Sequence, residues 1–160
     1  MDLNFDELLN QGQGAAENVL KNRKEIKSVL HDLQNSLSKF LSMSIELKES
    51  IEFVEENSNS ITRLAIQFKP KEKTGFNVVS IVSKEVDYSQ ELFKIRRSDE
   101  VYPITLVRDR EHMVADDQTE FSSSIGQIVS KAQFHFKLKS FKKKVEQKQV
   151  LKIKDLPATD

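Results

Sequence analysis

The side chains that could do chemistry in this sequence are few and widely spaced. His31, His112 and His135 share neither helical nor hairpin spacing, so they offer no pair of metal ligands. The chain has no Cys, which removes disulfides, thiolate metal sites and cysteine nucleophiles. Asp116, Asp117 and Glu120 cluster, but acidic side chains at this spacing are what the start of a helix favours. Glu146–Gln147–Lys148 matches the E-x-K fragment of a metal-dependent nuclease core, yet the surrounding periodicity predicts a helix and no strand with a partner Asp. Lys73–Thr74–Gly75 and Ser36-x-x-Lys39 echo fragments of serine acyl-transferase motifs, one in a loop and one on a helix. Ser122, Ser123 and Ser124 lack a paired base, and the four Gly residues form no phosphate-cradling loop. The sequence therefore predicts no catalytic, cofactor-binding or metal-ligating residue, and a protein that is not an enzyme.

Binding chemistry is better represented. Between Lys131 and Lys154 stand nine Lys and one acid, Glu146, with Phe134, Phe136 and Phe141 interleaved. Lys137, Lys139, Lys142, Lys143, Lys144 and Lys148 are the candidate contacts to a partner or to nucleic acid, because Lys tracks phosphates and aromatic rings stack on bases. The tract holds no Arg, the preferred reader of phosphates and base edges, and the Phe spacing places the rings on an apolar helix face. A solvated helix face is the first reading of the tract; as a partner, an acidic protein surface is expected ahead of nucleic acid.

Formal net charge is zero, from 25 basic and 25 acidic residues, but it is unevenly spread. Residues 1–60 hold 6 Lys/Arg against 11 Asp/Glu, residues 61–130 hold 10 against 11, and residues 131–160 hold 9 against 3. Opposite potentials at the two ends suit a docking face or head-to-tail attraction between chains. The acidic N-terminus has no apolar core of a secretory signal, and no uncharged apolar run approaches the ~18 residues of a membrane span. A reducing intracellular compartment, the cytoplasm, is expected.

The elements that must carry these residues start with LNFDELL at 3–9, two helical turns, followed by a hinge at QGQG, so that residues 1–14 form a short helix and a flexible joint. Residues 15–57 contain neither Gly nor Pro and follow a heptad. With a at Ala16, Arg23, Leu30, Leu37, Ser44 and Ile51, position d is Val19, Ile26, Leu33, Phe40, Leu47 and Val54, all apolar. This is a coiled-coil signature. A helix of about 40 residues is roughly 60 Å long, whereas a domain of the remaining ~100 residues spans about 26 Å, so much of the stripe needs another helix. The expected oligomer interface is Val19, Ile26, Leu30, Leu33, Leu37, Phe40, Leu47, Ile51 and Val54, in a homo-oligomer that is a dimer or larger.

Asn57–Ser60 reads as a domain boundary. Strands follow at 61–68, 76–86, 91–96, 101–107 and 112–114, with loops at 69–75 and 108–111 and with Pro103 on an edge or at a bulge. Helices are predicted at 118–132, capped by Asp117, and at 134–148, with a polar tail at 150–160. A helix or coil, a meander containing Tyr102–Pro103 and then two helices resembles the element order of RWD domains, including the small ones that end kinetochore coiled coils. The expected fold is α+β: a long N-terminal coiled-coil helix, then an antiparallel sheet of four or five strands covered by two C-terminal helices in a domain at 61–149. The expected function is a non-enzymatic oligomerising adaptor or accessory subunit that binds a protein partner with its C-terminal domain.

Overall fold

A computed structural model of the chain describes residues 4–55 and 70–156. Its elements are α1 (Phe5–Leu41), β1 (Ile45–Phe53), β2 (Lys73–Ser83), β3 (Ser89–Ser98), β4 (Val101–Arg108), β5 (Glu111–Ala115), α2 (Gln118–Val129) and α3 (Ala132–Lys154). The fold is α+β: a long N-terminal helix, a five-stranded antiparallel sheet and two C-terminal helices.

The sheet is a meander in the order β1-β2-β3-β4-β5. Its two faces follow from the period of two along a strand. One face gathers Ile45, Val79, Ile81, Phe93, Ile95, Ile104, Leu106 and Ala115, all buried. The register aligns them in rows, with Val79 opposite Phe93, Ile95 opposite Leu106 and Ile104 opposite Ala115. Leu92 is the extra residue of a bulge between Val79 and Ser80, so it is buried beside Phe93. The three helices cover this face: Ile26, Leu37 and Leu41 from α1, Phe121, Ile125 and Ile128 from α2, and Phe134, Leu138, Phe141 and Val145 from α3 join one core. Arg108 is buried as well. It donates to Ile128 O at the end of α2 (3.1 Å), where a cation complements the helix dipole, and stands over the Phe134 ring.

α2 starts at the predicted cap. Asp117 accepts from Glu120 N at 2.8 Å, and the Glu120 carboxylate accepts from Asp116 N at 2.8 Å. This reciprocal pair explains the acidic cluster without any site chemistry. Pro103, in a cis peptide bond after Tyr102, lies where the β3–β4 register shifts from Arg97↔Ile104 to Ser98↔Val101. β4 is flanked by β3 and β5, and the β5 pairing begins only at Ile104, so Pro103 occupies the bulge and not an edge strand.

Several boundaries differ from the sequence expectations. QGQG does not interrupt the helix: α1 is continuous through Gly12 and Gly14. The penalty of about 1 kcal/mol per Gly is outweighed by cooperative propagation in a 37-residue helix. The long helix also does not reach residue 57. It ends at Leu41, where Ser42 turns left-handed and the Ser42 and Met43 amides close onto the Lys39 and Ser38 carbonyls. Ser44, Leu47, Ile51 and Val54 therefore leave the heptad, and Ile45–Phe53 forms the first strand, paired with β2 from Ile45↔Ser83 onward. Over ten residues a 3-4 spacing and a 2-2 alternation share most of their apolar positions, and pairing with β2 decides between them. Lys73–Gly75 belongs to β2, not to a loop, and α3 runs to Lys154, beyond the predicted end at 148. The predicted boundary at Asn57–Ser60 and the predicted strand at 61–68 lie outside the described residues. The sheet and core extend across the proposed division between 15–57 and 61–149, since β1 pairs with β2 and α1 packs on the sheet.

Candidate functional site

α1 is one helix in two environments. Asn4 caps it by accepting from Glu7 N (3.4 Å), Asp6 and Glu7 sit in the first turn where the dipole favours acids, and Gln13 donates to Glu17 one turn on (3.3 Å). From Phe5 to Asn18 every residue is exposed. Contact with the rest of the chain begins around Val19 and Asn22. Asn22 Nδ2 donates to Glu100 O at the β3–β4 turn (3.1 Å), and Tyr102 Oη donates to Glu25 (3.3 Å). Burial raises the Tyr102 hydroxyl pKa to about 12, with the Glu25 carboxylate adding to the effect. From Asn22 back to Phe5 is about 25 Å at 1.5 Å per residue, so the first four turns stand clear of the sheet.

The residues predicted for an oligomer interface divide accordingly. Ile26 and Leu37 are buried, and Val19, Leu30, Leu33 and Leu47 pack partly buried against the chain's own core. These six serve the intrachain core, which corrects the expectation that the stripe along them awaits a partner helix. A helix of the predicted length would outreach the domain; the actual helix is shorter, and its C-terminal half fits the sheet it covers. Phe40 is 63% exposed, its ring edge against His135. Ile51 and Val54 are exposed on and just after the edge strand β1. Besides Phe40, the exposed large apolar residues of α1 are Phe5 (67%), Leu8, Leu9 (71%) and Leu20. Carried backward, the same heptad puts Phe5 at d and Leu9 at a, with Leu8 at the adjacent g, which the predicted hinge hid.

α3 has the same division at its other end. Phe134, Leu138, Phe141 and Val145 are buried at 4, 3 and 4 spacing, but Phe136 is exposed, unlike the other two aromatic residues of the basic tract. Lys139, Lys143, Lys144 and Lys148 are exposed, and Lys137 and Lys142 are half-buried. Two of these are engaged with the β2–β3 turn: Lys148 donates to Asp87 O (2.8 Å), and both Lys144 and Lys148 stand over the Tyr88 ring, which stacks on Phe141. Gln149 donates to Glu85 of the same turn. Beyond it, Val150, Leu151, Ile153 and Leu156 are all exposed, and Lys143, Glu146, Gln147, Val150 and Leu151 line a shallow hollow. These apolar residues fall in what the sequence presented as a polar tail; only their placement past the last core contact reveals an open apolar surface.

A third feature is a cleft of about 570 Å³ between α1 and the sheet. Leu30, Leu47 and Val79 form its floor, and Arg23, Lys27, His31 and Gln34 its helical wall. Arg97 closes it in a two-pronged pair with Glu49 (2.7 and 2.6 Å). Burial pushes the Glu49 carboxyl up, but the Arg97 hydrogen bonds and charge and the Asn77 amide outweigh it and hold the pKa below the ordinary carboxylate range. The cations of this cleft were not among the sequence candidates, since Arg23 read as a polar heptad position. Among the described residues, no three His, Asp or Glu side chains converge as a metal site would require, and no helix is long and apolar enough to cross a membrane.

Compared with protein-family models, curated proteins and solved structures, the chain matches none.

Proposed function

We propose that the protein is a non-enzymatic assembly subunit, an adaptor or accessory component whose α+β body anchors a projecting helical arm, in a reducing compartment such as the cytoplasm. The observation that carries this is the arm itself: Phe5, Leu8 and Leu9 are exposed on a four-turn extension whose residues 5–18 are all exposed among the described residues. Isolated helices of that length are marginal in water, and an exposed apolar stripe on one is a feature of surfaces that receive a partner. The sheet domain supports it by clamping the arm's base through Asn22, Glu25 and Ile26.

A second reading, nucleic-acid binding along α3, is favoured by one observation. Phe136 is exposed in the same tract as Lys139 and Lys143, which is the pairing of ring and cation that stacks and neutralises a single strand. Against it, Lys144 and Lys148 are engaged with the β2–β3 turn.

A photo-crosslinking residue at Leu9 in cells tests the assembly reading. Covalent adducts to protein are expected from that site, with far fewer from the same residue placed at His112. If both positions crosslink equally poorly, the arm is no assembly element.

A further inference from the structure

The two open helix ends differ in charge and place. From Asn4 to Leu20, α1 carries Asp6, Glu7 and Glu17 and no Lys or Arg. From Lys142 to Lys154, α3 carries six Lys against Glu146. Among the described residues each leaves apolar side chains exposed: Phe5, Leu8, Leu9 and Leu20 on α1, and Val150, Leu151 and Ile153 on α3 with Leu156 just past its end. They leave the sheet at opposite ends. α1 departs past the β3–β4 turn, where Asn22 holds Glu100. α3 departs past the β2–β3 turn, where Lys148 holds Asp87 and Gln149 holds Glu85. Antiparallel strands put those turns at opposite ends of the sheet, so one end cannot fold back to cover the other within a chain.

We propose that the occupant of each end is the other end of a second copy of this chain: the acidic α1 arm of one molecule packs along the basic α3 terminus of the next. This rests on the assembly reading above and names its partner. Charge selects the pairing. Two α1 arms side by side would set three acids against three acids, and two α3 termini would set Lys against Lys; only unlike ends bring opposite charge together around apolar centres. The contact is heterologous, joining two different patches, so it either closes reciprocally in an antiparallel pair or propagates.

The test uses the full chain and reads mass by sedimentation at low and high ionic strength. The wild type is expected to associate, more tightly at low salt. Asp6→Lys with Glu7→Lys and Glu17→Lys reverses the arm; Lys143→Glu with Lys152→Glu and Lys154→Glu reverses the terminus. Either reversal alone is expected to raise the dissociation constant by about tenfold or more. Mixing the two reversed chains, or placing all six changes in one chain, is expected to restore association, which a merely misfolded variant could not do. Ile153→Asp gives an independent loss without touching a Lys. A wild type that stays monomeric at low salt overturns the proposal, as does a terminus reversal that leaves association intact. Association between wild type and arm-reversed chains that exceeds either alone would show arm-to-arm pairing and also overturn it. Crosslinks from Leu9 to another protein, with a monomeric chain, would sink self-pairing while leaving the assembly reading in place.

Discussion

The two halves of α1 obey one heptad and meet different fates. Residues 22–41 bury Ile26, Leu37 and Leu41 against the sheet, while residues 5–20 leave Phe5, Leu8, Leu9 and Leu20 in solvent. Neither capping nor apolar spacing distinguishes them. What differs is whether a sheet lies beneath. An amphipathic pattern states that a helix has an apolar face; it does not state what covers that face.

Substitution at matched positions should break the symmetry most visibly. Leu37→Ala removes a side chain that is 5% exposed in the shared core and is expected to cost about 2–5 kcal/mol. Leu9→Ala, on the same stripe but 71% exposed, should change the stability of the monomer by less than about 0.5 kcal/mol. Chemical denaturation at concentrations where the chain is monomeric measures both. Comparable losses would mean that the arm folds back on the body.

The base of the docked half gives a smaller, pH-dependent contrast. The folded-state pKa of Tyr102 is raised to about 12 from an ordinary 10.0, so the folded chain holds the proton more tightly than the unfolded one. That stabilisation is complete below pH 10 and is lost as pH rises toward 12. Stability of the wild type should therefore fall across this window, and Tyr102→Phe should flatten that part of the profile. An unchanged slope in the Phe variant would show that the hydroxyl is not held by burial and Glu25.

The smallest effect should come from the arm's glycines. A Cβ at Gly12 or Gly14 meets nothing within 4 Å, so each Gly→Ala change should firm the local helix by about 1 kcal/mol. Amide exchange along residues 5–18 should slow, while the global melting of the body stays where it is, because that stretch is exposed throughout. A matching rise in global stability would join the arm to the body's cooperative unit.

Much of the architecture was readable from local pattern. The β-branched run around Val78–Val82 marks an interior strand, Asp117 with Glu120 marks a helix start, and Phe134, Leu138, Phe141 and Val145 mark a buried helical face; all three appear as such. These signals survive because each is local: a cap, a turn or a period involves residues within one or two turns of chain. Reading failed where two patterns share residues or where a weak local cost opposes a cooperative gain. The segment 45–53 satisfies helix and strand spacing together, and only its pairing with β2 resolves it. QGQG looked like a stop, yet a long capped helix carries two glycines through.

The exposed apolar surfaces were hardest to read, for a physical reason. Val150, Leu151 and Ile153 are of the same residue types as Leu138 and Val145, yet the former are open while the latter are buried. By itself the sequence determined an α+β chain, the Asp117 cap, the buried face of α3 and the opposite charges of its two ends, because each of these is carried by residue identity along the chain. Which stretch of each face is covered by the chain itself, and which is left open, was decided only by tertiary structure, since burial depends on where the sheet ends and the helix does not.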